Sequence, residues 1–198
     1  MSRMLVTAIL IGLAVSLAGS ARADRLGKGR SLVEIGIGGH SVPNGELGGQ
    51  LGYFRFLSDQ WTLGVSGGYY ANRTKFESNP STQTFNAHSF TIRVGGDRYA
   101  FINDDVALYA GPGVLWTRGH DKTEFDAGPP VGSLTVEADT DVVGFNGRIG
   151  MYARLSRSTA LYGHVGQVLS HSSREGGGTK TSSWSNSLEG SVGLAFDF

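Results

Sequence analysis

The segment Trp184–Phe198, WSNSLEGSVGLAFDF, is the most informative part of the sequence. Its apolar side chains fall on one face of an extended chain: Trp184, Leu188, Val192, Leu194, Phe196 and Phe198. Glu189, Ser191 and Gly193 fall on the opposite face. A repeat of two residues predicts a β-strand with one apolar face. Such a face has to be covered by protein or by lipid.

Seven further segments show apolar alternation of the same kind. They are Ser31–His40, Leu47–Leu57, Trp61–Ala71, Ser89–Phe101, Val106–Arg118, Val142–Leu155 and Leu161–Leu169. In Leu47–Leu57 the alternation is ambiguous, because Leu51 and Tyr53 share one face while Phe54 and Phe56 share the other. A β-bulge in this segment is therefore possible.

The connections between these segments alternate in length. Tight polar turns are predicted at Ser58–Gln60, Asn103–Asp105 and Ser156–Ser158. Longer polar loops are predicted at Asn72–Asn86, Gly119–Thr140 and His171–Ser183, beside a short loop at Ser41–Glu46. We call the end with the tight turns proximal and the other end distal. Outer-membrane barrels have this asymmetry, with short periplasmic turns and longer extracellular loops.

The first 23 residues have the pattern of a secretory signal peptide. Arg3 supplies a positive charge, and Met4–Gly19 is apolar and uncharged. Ala21 and Ala23 form a small-x-small cleavage site. The apolar run is shorter than the roughly 20 residues of a spanning helix. We therefore predict a signal peptide at 1–23, rather than an N-terminal anchor, and one barrel domain at 24–198.

The composition excludes several classes of function. The 17 basic and 17 acidic residues balance, so the chain has no basic excess for nucleic acid. Without cysteine it has no disulfide and no thiolate metal ligand. Its 31 glycines lie among apolar residues and show no three-residue period, which excludes collagen. An all-β fold remains.

The terminal segment carries a resemblance to a known family. Ser191, Gly193, Phe196 and Phe198 match the polar-x-Gly-x-x-aromatic-x-aromatic ending of outer-membrane barrel proteins. With the eight segments, the chain resembles the small eight-stranded outer-membrane β-barrels, of the OmpA transmembrane domain and OmpX type. The resemblance implies an antiparallel up-and-down transmembrane barrel in the outer membrane of a Gram-negative cell, recognised by the barrel assembly machinery. It also implies contact with outer-membrane lipid and lipopolysaccharide, and a monomer without cofactor.

Several charged residues fall on the polar faces of the predicted strands. Arg93, Arg148 and Glu189 lie near mid-strand, and Glu34, Arg154 and Asp197 lie nearer the proximal end. Charges buried in a lumen must pair. We therefore predict a structural ion-pair network that plugs the barrel, with a proton or ion pathway as the alternative.

Two other functions fit parts of the sequence. His171, Ser173 and Glu189 resemble the His-x-Ser and Glu of lipid A deacylases of the PagL type, although Arg174 replaces the expected asparagine. Glu189 also has inward parity, whereas such a site must face lipid. A soluble lipocalin-like barrel with a ligand in its lumen is the other alternative. We favour a non-enzymatic barrel with a structural role or a role in surface contacts.

No metal site is predicted. The segment 119–141 is acidic, but its spacing matches no EF-hand loop, and it is interpreted as a solvated loop. Its acidic residues are Asp121, Glu124, Asp126, Glu137, Asp139 and Asp141. The histidines lack metal-ligand spacing and are interpreted as loop or lumen residues: His40, His88, His120 and His164.

Overall fold

The computed structural model describes residues 26–40, 48–78, 81–126 and 132–198. These residues form nine β-strands: β1 Ser31–His40, β2 Gly48–Phe56, β3 Thr62–Ser78, β4 Ser81–Gly95, β5 Arg98–Phe101, β6 Val106–Asp126, β7 Ser133–Arg154, β8 Thr159–Gly176 and β9 Thr179–Asp197. No helix among the described residues has the length and apolarity needed to cross a bilayer. The predicted signal peptide and its Ala21 and Ala23 lie outside the described residues and stay a prediction.

The strands close into an antiparallel barrel. Sequence neighbours pair from β1 to β4 and from β5 to β9, β1 pairs with β9, and β4 pairs with β6. The strands β4 and β5 both pair with β6 and are two parts of one barrel strand, interrupted at Gly96 and Asp97. The prediction of an eight-stranded barrel is therefore confirmed.

Side chains alternate between the exterior and the lumen along each strand. In β7, Val143, Phe145 and Ile149 are exposed by 54%, 66% and 63%, whereas Asn146 and Arg148 are buried. Exposed apolar residues of the other strands continue this surface, among them Val65, Val94, Val114, Leu169 and Leu188. We call this continuous outer surface the apolar belt. It is the surface that a barrel presents to lipid.

An aromatic core fills the proximal half of the lumen. Its buried rings are Phe54, Phe56, Tyr99, Tyr109, Tyr152 and Tyr162. The ambiguous alternation of β2 has its explanation here, because Phe54 and Phe56 point into this core while Leu51 and Tyr53 face outward. The pairing of β2 with β1 and β3 is continuous, so the described residues Gly48–Phe56 contain no bulge.

The proximal turns agree with the prediction, and the three long distal loops do not; the predicted short loop Ser41–Glu46 lies outside the described residues. Asn103–Asp105 lies between β5 and β6, and the Ile102 amide donates to the Val106 carbonyl at 2.9 Å. By contrast, β6 and β7 stay paired to Asp126 and Ser133, so most of the predicted loop Gly119–Thr140 is strand. The same holds for most of Asn72–Asn86 and His171–Ser183. Beyond the lipid a strand needs no apolar face, so the alternation disappears while the hydrogen-bonded ladder continues.

Candidate functional site in the barrel lumen

Inward-facing glycines make room for the large groups of the lumen. A Cβ at Gly113 would lie 2.6 Å from Arg93 Nε. A Cβ at Gly150 would collide with the ring of Tyr109, and one at Gly36 with the Tyr162 hydroxyl. A strand with inward glycine therefore lets a long side chain of a neighbouring strand lie flat across the barrel.

The centre of the lumen holds a buried ion pair. Arg148 donates from Nε to Asp97 Oδ1 at 3.0 Å and from Nη2 to Asp97 Oδ2 at 2.5 Å. Both side chains are at most 2% exposed. The guanidinium also lies over the rings of Phe54 and Tyr109, 4.9 and 5.4 Å from their centroids. A bidentate pair with two ring contacts holds Arg148 in one position.

Arg93 extends this centre toward β9. Its Nε donates to Asn146 Oδ1 at 3.1 Å, and its Nη2 lies 3.9 Å from Asp97 Oδ1. Asn146 in turn donates from Nδ2 to Glu189 Oε1 at 2.5 Å. The structure thus connects Glu189 to Arg93 through Asn146, and it places Asp97 between the two arginines.

Sequence reasoning missed Asp97 and Asn146. The apolar alternation predicts the fourth barrel strand as one continuous segment. In the structure this strand is interrupted, and Asp97 lies in the interruption. Parity is the signal that could have found them, because Asp97 shares the inward parity of Arg93 and Asn146 that of Arg148, and both arginines are assigned to the polar face from the sequence.

The second predicted set divides between two places. Arg154 Nη2 lies 3.6 Å from Asp197 Oδ2, and Arg30 also pairs with Asp197 at the proximal end. Glu34 is buried and interacts electrostatically with Arg148, Asp97 and Arg93. Glu34 therefore belongs to the central cluster and not to the proximal set.

A hydrogen-bonded network of hydroxyl, amide and imidazole groups adjoins the charged cluster. Gln50 donates to Tyr162 and Ser191 at 3.0 and 2.7 Å. The Ser191 hydroxyl lies 3.3 Å from the His164 ring nitrogens, and Tyr109 lies 3.3 Å from His164 Nδ1. His164 is therefore a lumen residue with hydroxyl partners.

The structure does not assemble the three residues of the deacylase alternative. In the β8–β9 ladder His171 lies opposite Trp184, whereas Glu189 lies opposite Gly166, five residues farther along β8. His171 has the outward parity of exposed Leu169, and Glu189 lines the lumen beside Gly166. Ser173 shares the outward face with His171. The side chains of His171 and Ser173 therefore lie on the outer side of the barrel wall, and that of Glu189 lies on the inner side.

The terminal strand closes the barrel. Phe198 and Ser31 exchange two backbone hydrogen bonds, of 3.0 and 3.1 Å. In β9 Ser191 and Gly193 face the lumen, and the Phe198 ring is 70% exposed on the exterior. Phe196 has the same parity as Phe198. Recognition of these residues by assembly machinery remains a prediction.

The acidic segment lies on the β6–β7 hairpin, beyond the apolar belt. His120 Nδ1 donates to Asp139 Oδ1 at 2.8 Å, and this hydrogen bond lowers the pKa of Asp139. Lys122 lies 2.9 Å from Glu124, which raises the pKa of the Lys122 ammonium. The described residues contain no group of three or more His, Cys, Asp or Glu that could hold a metal ion. The side chain of His40 lies outside the described part of the chain.

The chain matches no protein-family model and no curated protein. Among solved structures it is similar to the outer membrane protein OprG from Pseudomonas aeruginosa, at 13% identity over 89% of this chain and 99% of that chain, with a TM-score of 0.55. It is also similar to a major outer membrane protein from Thermus thermophilus, at 13% identity over 85% and 98% of the two chains, with a TM-score of 0.56. At this identity the likeness shows a shared fold. The predicted outer-membrane location agrees with that fold and with the apolar belt.

Proposed function

We propose that this protein is a non-enzymatic outer-membrane barrel that acts at the cell surface through its distal hairpins, in envelope integrity or in surface contacts. The observation that carries this proposal is the filled lumen. The Arg148–Asp97 pair and the aromatic core occupy the middle and proximal parts of the barrel. A lumen filled in this way supports a structural role over a role as an open pore.

The distal hairpins, which are the distal ends of β3–β4, β6–β7 and β8–β9, supply the surface for contacts. They continue the barrel wall beyond the apolar belt as polar strands, up to Asp126 in β6 and Gly176 in β8. Arg73 and Arg118 are exposed on their outward faces. Guanidinium groups just beyond the apolar belt can bind the phosphate groups of lipopolysaccharide, the lipid partner that the family resemblance implies.

Cysteine labelling of intact cells tests this topology, because the chain has no cysteine of its own. Glu175→Cys at the distal end is expected to react with a membrane-impermeant maleimide, while Asp104→Cys in a proximal turn reacts only after lysis. Val143→Cys in the apolar belt is the matched control and stays unlabelled in both. Labelling of Asp104→Cys alone on intact cells would refute the proposed orientation.

The composition of lipid A tests the proposal that the protein is not an enzyme. We expect its mass spectrum to be identical in cells with and without the protein. Loss of an acyl chain that depends on His171 would refute the proposal.

A further inference from the structure

A cavity of 490 Å³ lies in the distal half of the lumen. Its volume falls within the range of small-molecule sites, about 300–1,000 Å³. It is lined by residues of β3, β4, β6, β7, β8 and β9, so it spans the barrel. A separate cavity of 40 Å³ shares Tyr70, Thr91 and Leu115 with it and continues to Arg93 and Glu189. Tyr70, Thr91 and Leu115 therefore form the floor of the larger cavity, which we call the vestibule.

The wall of the vestibule is rich in hydroxyl groups. Eight of its lining residues are Ser or Thr. Four of them form two cross-strand pairs: the hydroxyls of Thr91 and Thr117 lie 2.7 Å apart, and those of Ser170 and Ser185 lie 2.9 Å apart. A hydroxyl keeps an additional acceptor lone pair when it donates to its neighbour. The paired hydroxyls therefore still offer hydrogen bonds to a molecule inside.

Apolar side chains alternate with these hydroxyls. Leu115, Val168 and the Tyr70 ring line the vestibule and are nearly fully buried. Among the described residues that line the vestibule, Asp121 is the one Asp, Glu, Lys or Arg, and Arg174 lies 3.3 Å from its carboxylate. A charged ligand would thus lose water without gaining a free counter-charge on this wall.

We propose that the vestibule binds a small neutral saccharide. A saccharide ring presents hydroxyls at its rim and C–H groups on its faces. The Ser and Thr hydroxyls match the rim, and Leu115, Val168 and Tyr70 match the C–H faces. The filled lumen below makes this a site for retention and not for passage. The proposal deepens the proposed surface role, on which it rests for access from outside the cell.

Two glycines allow a matched test. Gly119 lines the vestibule, and a Cβ there would meet its nearest atom, Ser89 Cβ, at 3.6 Å, an ordinary contact. Gly119→Leu is therefore expected to fill the space without distorting the barrel. Gly147 faces outward in β7, with nothing within 4 Å of a Cβ. Gly147→Leu makes the same change outside the vestibule.

The measurement is saturation-transfer NMR with glucose, maltose and trehalose, on purified protein in a detergent without a sugar headgroup. We expect at least one of the three sugars to bind wild type and Gly147→Leu, and Gly119→Leu to bind at least about tenfold more weakly. Ser170→Ala should weaken binding about two- to tenfold, as expected for one hydrogen bond. Ser173→Ala, on the outer face, should leave binding unchanged.

Two results would overturn the site: no binding of any of the three sugars to the folded wild type, or binding that Gly119→Leu leaves unchanged. Heat-modifiable migration of each variant establishes that it is folded. A protein that labels at the cell surface but binds no sugar refutes the vestibule site alone. One that binds sugar but fails the surface labelling refutes the proposed topology alone.

Discussion

At the scale of single residues, Asp97 is the bidentate partner of Arg148 at the centre of the lumen. We predict that Asp97→Ala destabilises the folded barrel by about 3–5 kcal/mol, because it leaves Arg148 buried without its bidentate partner. The free energy of unfolding in urea, measured in detergent micelles, checks this. Asp104→Ala, in an exposed proximal turn, is the control and should change stability by less than about 0.5 kcal/mol. Equal stability of the two variants would contradict the central ion pair.

The glycines of β7 give a second prediction. Gly150→Ala should cost about 1–3 kcal/mol, because its Cβ meets the Tyr109 ring and lies 2.6 Å from the Gly163 carbonyl oxygen. Gly147→Ala on the opposite face has open space and should be nearly neutral. Urea unfolding of the pair measures the difference. A larger loss for Gly147→Ala would mean that the inward and outward faces have been exchanged.

Parity identified residues of the lumen but not their partners. Alternation placed Arg93, Arg148 and Glu189 on the inward face, because the apolar residues of each segment have the opposite parity. It does not reveal which of them meet, since contacts across the barrel depend on register and on where a strand is interrupted. Asp97 is the example: its role depends on a break in the fourth barrel strand that no apolar pattern marks.

At the scale of elements, β9 has to close the barrel against β1. We predict that deletion of Phe198 lowers the fraction of folded, heat-modifiable protein in cells, because it removes both backbone hydrogen bonds to Ser31 and the terminal aromatic residue. Phe198→Leu retains the backbone pairing and should assemble better than the deletion. Normal assembly of the deletion variant would contradict the importance of this closure.

The β6–β7 hairpin carries a pH-dependent contact. Because the pKa of Asp139 is lowered in the folded hairpin, the contact with His120 contributes stability above the unfolded pKa of about 3.9 and loses it as the pH falls through the lower, folded value. His120→Ala should raise the pKa of Asp139, measured by NMR titration of its carboxyl carbon. His88→Ala is the control, since His88 faces the His120 ring at 5.3 Å and has no hydrogen bond to Asp139 among the described contacts. An unchanged pKa in His120→Ala would exclude the hydrogen bond as the cause.

Strand type and order were predictable, whereas strand length was not. The apolar alternation locates the part of each strand that meets lipid, as in Val142–Leu155. Beyond the lipid both faces of a strand meet water, so polar residues such as Ser172 and Ser182 occur on both faces and the apolar two-residue repeat is lost. The distal hairpins therefore have the composition of loops although they are paired to Asp126 and Gly176.

At the scale of the whole molecule, the central claim is a barrel with its apolar face toward lipid and its charged face inside. The absence of native cysteine allows single spin labels at consecutive positions 143–150 of β7, in lipid vesicles. Collision rates with oxygen, which concentrates in lipid, and with a water-soluble nickel complex report the surroundings of each label. We predict high oxygen collision rates at the odd positions 143, 145, 147 and 149, low rates at the even positions, and no nickel access at the odd ones. Nickel access at the odd positions, or rates without a two-residue period, would contradict a transmembrane barrel.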